Sequence, residues 1–159
     1  MNTSIIENYL EKFNTLKKKL FFSYNINHSG FGDFLKYFVY TLHFCINNDI
    51  KLHLDFSHPI NKYFKFKFEK LYLDYTPKNG YFVRQIDDII NLYENDPNTD
   101  RDFFVLTFSV FHKDYDAIKL CNESILSDFF YFTDEVILAG NKIINNIDSF
   151  ISIHLRLGD

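Results

Sequence analysis

Apolar positions along this chain fall into two alternating rhythms. Ile5, Ile6, Tyr9, Leu10, Phe13 and Leu16 recur at helical spacing and predict an amphipathic helix over residues 5–16. Leu20 to Tyr24 is a short apolar run, read as a strand. A polar loop with Gly30 and Gly32 follows, and Asp33 stands where it can cap a helix through Leu35, Phe38, Val39, Leu42 and Ile46. Asn47, Asn48 and Asp49 end that helix. Ile50 to Phe56 alternates apolar and polar residues, as a strand does.

Further on, Phe64, Phe66 and Phe68 alternate as in a strand, although Tyr63 and Leu71 also permit a helix. Residues 81–83 suit a short strand, and 85–93 a helix with Ile86, Ile89, Ile90 and Tyr93 on one face. Residues 103–108 form a continuous apolar run that fits a strand buried on both faces. Residues 128–147 read as largely helical, in two pieces, with Thr133 capping the second and Val136, Ile137, Ile143 and Ile144 turned inward. Gly140 weakens that helix. A last strand starts near Phe150. Strands alternating with helices predict an α/β fold: a Rossmann-like, mostly parallel sheet flanked by helices, with right-handed connections.

Composition narrows the function only a little. Twenty Phe and 11 Tyr with no Trp point first to core area, and to an A/T-rich coding sequence. A net charge of −4 argues against a nucleic-acid partner. Lys17, Lys18 and Lys19 read as a solvated helix end. Cys45 and Cys121 have no Cys-x-x-Cys partner, so neither a disulfide framework nor a zinc ribbon is expected, and Cys45 reads as a small buried residue. No secretory signal and no membrane span are seen, which makes a cytoplasmic location the expectation.

Three places carry candidate chemistry. In the Gly30-Phe31-Gly32-Asp33 segment, two glycines allow close backbone approach and a helix start favours an anion. The plain reading is a tight turn with a helix cap; the functional one sets Asp33 or His28 against a sugar hydroxyl or a leaving group. In the terminal segment Ile153-His154-Leu155-Arg156-Leu157-Gly158-Asp159, His154 and Arg156 share one face of a strand. Arg156 is always charged and suits a diphosphate leaving group; His154 suits a ribose hydroxyl or a base edge. Around the second strand, His53, Asp55 and His58 are either solvated strand-edge residues or a His/carboxylate metal set.

Together the first two motifs resemble the GT-B-type fucosyltransferases: the α-1,2, α-1,6 and protein O-fucosyltransferase relatives. That group opens on a strand, a Gly-x-Gly-Asn loop, an aromatic-rich helix and a second strand. It later carries an apolar strand ending in His-x-Arg-x-Gly-Asp. The resemblance implies inverting, metal-independent transfer of fucose from GDP-fucose to a glycan or protein acceptor, with no cofactor beyond the donor. It places Gly30, Gly32, His154, Arg156 and Asp159 at the donor, and Asp33 and Arg156 in catalysis. Asp33 stands where the family usually has Asn; an ionised carboxylate only accepts hydrogen bonds and suits a base toward the acceptor hydroxyl. The expected layout is the amino-terminal half of such an enzyme, with a Rossmann-like domain over residues 1–148 and the first strand of a donor-binding domain over 149–159. On that expectation the chain alone is inactive, and its partner is a separately encoded carboxy-terminal half. The alternative is a non-catalytic remnant or a small α/β binding protein.

Overall fold

The computed structural model describes residues 3–24, 31–71, 80–83, 86, 88–95, 102–106 and 130–145. The elements run α1 (Thr3–Lys12), β1 (Lys18–Tyr24), α2 (Phe31–Asn47), β2 (Ile50–Phe56), β3 (Phe64–Phe66), β4 (Gly80–Val83), α3 (Asp88–Asn95), β5 (Asp102–Leu106), β6 (Phe130–Phe132) and α4 (Asp134–Ile144). Short 3-10 turns follow α1 and flank β3. The fold is mixed α/β: a four-stranded sheet in the order β2-β1-β5-β4, parallel throughout, plus an antiparallel ribbon of β3 and β6. None of the described helices is long and apolar enough to cross a membrane.

The order of the sheet decides where the helices go. Both the β1-to-β2 and the β4-to-β5 connection step toward the β2 edge. Right-handed crossovers of the same lateral sense put both helices on one face. Contacts agree: Phe22 of β1 stacks on Phe34 of α2 at 5.8 Å, and the Lys18 ammonium lies 5.6 Å from the Tyr93 ring of α3. Lys18, Leu20 and Phe22 share one side of β1, and their parallel neighbours Ile50, Leu52 and Leu54 continue it on β2. A doubly wound sheet instead steps outward from β1 in both directions; the step from β4 inward to β5 departs from that order.

Two tyrosines close places where the sheet has no neighbour among the described residues. β2 is the edge strand of the described sheet, and unpaired amides and carbonyls there would invite pairing with another chain. The buried Tyr9 hydroxyl donates to Ile50 O at 2.7 Å and accepts from Leu52 N at 2.8 Å, as an adjacent strand would. Tyr93 does the same for Lys19, donating to its carbonyl and accepting from its amide. Lys19 lies just before the ladder of β1 with β5 begins at Leu20. Burial, and to a lesser degree Cys45 nearby, pushes the Tyr9 phenol well above its ordinary pKa.

Several expectations change. α1 ends at Lys12, and Lys18 and Lys19 lie in β1 rather than at a solvated helix end. Their backbones join the ladder with Ile50 and Lys51, while the Lys18 ammonium lies over the Tyr93 ring. Residues 130–132 form a strand, not helix, because Phe130 and Phe132 pair with Phe66 and Phe64 at 4.3 and 4.8 Å across the ribbon. Thr133 is the N-cap of α4, but its hydroxyl makes no cap hydrogen bond. Ile137, Ile143 and Ile144 do not turn inward: they are exposed, as is Leu138, and α4 contains no buried residue. Cys45 is fully buried, as expected, and burial raises its thiol pKa. Cys121 and the strand expected near Phe150 lie outside the described residues, as does the 149–159 segment.

The core sits between the sheet and α2. Phe38 is fully buried and touches Phe22, Phe34, Phe66 and Phe130, so one ring ties the sheet, the helix and the ribbon together.

Candidate functional site

Parallel pairing aligns the carboxyl ends of β1 and β2, with Ser23 beside Asp55 and Tyr24 beside Phe56. α2 starts from that same edge, since a βαβ connection leaves the carboxyl end of one strand and returns to the amino end of the next. Its first-turn amides have no intrahelical acceptor. The edge therefore combines helix amides with strand-end side chains, the usual ligand position in open α/β sheets.

Gly32 and Asp33 are the second and third residues of α2, so Asp33 does not cap the helix from outside as expected. Gly30 and His28 lie outside the described residues. So do His154, Arg156 and Asp159. The described structure thus brings Gly32 and Asp33 to the sheet edge and leaves the other proposed donor contacts outside its reach.

On the sheet face away from α2, Ser23 Oγ donates to Asp55 Oδ2 at 2.8 Å. His53 precedes Asp55 by two residues and shares this face; its ring meets the Phe13 ring edge-on at 5.7 Å. Both Ser23 and Asp55 are half-buried. The hydroxyl fixes one carboxylate oxygen, and an ionised carboxylate accepts at several further lone-pair sites. Such a group can hold hydroxyl or amide N–H donors. Ser23 was not singled out from sequence. Its signal is a polar side chain just after the apolar run Leu20 to Phe22, and its partner emerges only with the register.

The His53, Asp55 and His58 metal set does not assemble. His58 Nδ1 instead accepts from Ile60 N at 3.1 Å, capping the 3-10 turn Pro59–Lys62, with Pro59 in the first-turn position. Asp55 is engaged by Ser23. Among the described residues, no three His, Cys, Asp or Glu side chains group closely enough to hold a metal ion.

Comparison with models of known families, with curated proteins and with solved structures finds no match to this chain.

Proposed function

We propose that this chain is the amino-terminal, Rossmann-like part of a GT-B-type glycosyltransferase that uses GDP-fucose with inversion. The observation that carries the reading is the parallel β1–α2–β2 unit, with Gly32 and Asp33 in the first turn of α2 at the carboxyl edge of the sheet. The likeness rests on this unit and on the His154–Arg156 motif, not on the full strand order, which steps inward at β4 and β5.

In this reading Gly30, Gly32, Asp159 and the α2 amides approach the donor, His154 holds its nucleoside side, and Arg156 forks onto the diphosphate. The acceptor hydroxyl of a glycan or protein attacks the anomeric carbon of fucose. Its proton passes to Asp33, the anomeric carbon–oxygen bond breaks, and GDP departs with the bonding electron pair. Arg156 stabilises the negative charge that develops on the leaving diphosphate, a role whose loss typically costs ~10²–10³ in rate.

The test is a titration of GDP and GDP-fucose into the chain, followed by amide chemical shifts. The expected result is weak saturable binding that moves the Gly32, Asp33, Ser23 and Asp55 amides. Arg156→Ala should weaken it about tenfold or more, the worth of a charge-assisted hydrogen bond. Shifts absent from this edge, or binding indifferent to Arg156, would sink the reading and leave a small α/β binding protein with another ligand.

A further inference from the structure

A concavity is formed by residues outside the β1–α2–β2 unit. A cavity of about 330 Å³ opens between α1 and the β3–β6 ribbon, lined by Leu10, Phe66, Lys67, Phe68, Lys70 and Tyr131. Its size is at the lower end of small-molecule sites, about 300–1,000 Å³. The floor is apolar and held in place. Phe66 is 3% exposed and packs on Phe34, Phe38 and Phe130, so its ring does not have to be ordered when a ligand enters.

The walls have a different character. Tyr131 presents a half-exposed ring, and its strand partner is Lys65. Lys67 and Lys70 are exposed at the rim. Among the described residues, Lys67 and Lys70 are the charged members of the lining. Two cations set over an aromatic floor select for two features in one molecule. A bare inorganic anion would lose hydration against Phe66 and Phe68 without compensation. An uncharged aromatic would make no use of the lysines.

We infer that this cavity binds a small organic anion with a flat apolar body, of the aromatic carboxylate class. The ring lies over Phe66 and Phe68 beside Tyr131, and the carboxylate faces the Lys67 and Lys70 ammonium groups. The site is independent of the sugar-transfer reading, because none of its residues belongs to the β1–α2–β2 edge.

The probe is 2-naphthoate, titrated into the full chain and followed by amide chemical shifts. Saturable shifts are expected at Leu10, Lys67, Lys70 and Tyr131. The uncharged analogue 2-naphthalenemethanol should bind about tenfold more weakly, as should the acid itself to Lys67→Gln/Lys70→Gln. Both lysines are exposed, so the double variant should keep the parent circular dichroism spectrum. Raised salt should weaken the acid and not the alcohol, because rim charges are screened. No saturable shifts up to millimolar probe, equal affinity for acid and alcohol, or unchanged affinity in the double variant would each overturn the inference.

Discussion

The β1–α2–β2 unit and the β6–α4 segment are built from the same materials and come out differently. Both join a strand to a helix with apolar residues at helical spacing, and both are rich in aromatic or branched side chains. In α2, Phe34, Phe38, Leu42 and Cys45 are fully buried. In α4, Ile137, Leu138, Ile143 and Ile144 are exposed, and Tyr131 and Phe132 on β6 are half-exposed. The contrast follows from the connections. α2 is tied at each end to adjacent parallel strands, so it must cross a sheet face that needs cover. α4 is tied at its start to a two-stranded ribbon, and the aromatic face of that ribbon is already taken by Phe34 and Phe38. Amphipathic spacing makes a helix able to bury a face; the neighbouring strands determine whether there is a face to bury it on.

The sharpest way to break this contrast is truncation at matched positions. Phe38→Ala should destabilise the protein by about 3–5 kcal/mol, because it empties a site shared by sheet, helix and ribbon. Ile143→Ala should change stability by no more than about 0.5 kcal/mol. Chemical denaturation of the two variants checks both values, and equal losses would mean that α4 is covered in solution.

A smaller effect is expected at the sheet edge. Tyr9→Phe leaves the Ile50 carbonyl and the Leu52 amide of β2 without the phenol that joins them, at a cost of about 1–3 kcal/mol. The same residue sets an alkaline limit. Its folded pKa is raised above the unfolded value of about 10. The unfolded chain therefore binds fewer protons above that pH, and stability falls as pH rises past it. Denaturation curves across that range should decline in the parent and decline less steeply in Tyr9→Phe. Parallel slopes would show that the phenol is not buried in solution.

The smallest change runs the other way. Gly140 lies inside α4, and a Cβ placed there meets nothing within 4 Å. Gly140→Ala should stabilise by about 0.5–1 kcal/mol through helix propensity alone. A loss of stability on thermal melting would reveal a neighbour packed against that side of α4.

Legibility from sequence tracked how local the cause was. The helix ending at Asn47-Asn48-Asp49 was readable, and Asp49 indeed turns the chain with a positive φ of 53° and pairs with Lys12. The strand at Ile50–Phe56 was readable from alternation, and Cys45 from its apolar surroundings. The ribbon strand at residues 130–132 was not, because it becomes a strand by pairing with Phe64–Phe66, far away in the chain. At the candidate site, Asp55 was visible but its partner was not: Ser23 meets it only once β1 and β2 align in register. Tyr9 and Tyr93 gave no sign that they would stand in for missing strands.

Element type along most of the chain, the α/β class and the parallel β1–α2–β2 unit thus followed from residue order, since periodicity and capping act over a few neighbours. Strand order, the single face shared by α2 and α3, the fate of the α4 stripe and the pairing of Ser23 with Asp55 came from the fold. Each depends on which distant segments lie side by side, and a local pattern of apolar and polar residues is compatible with several such arrangements.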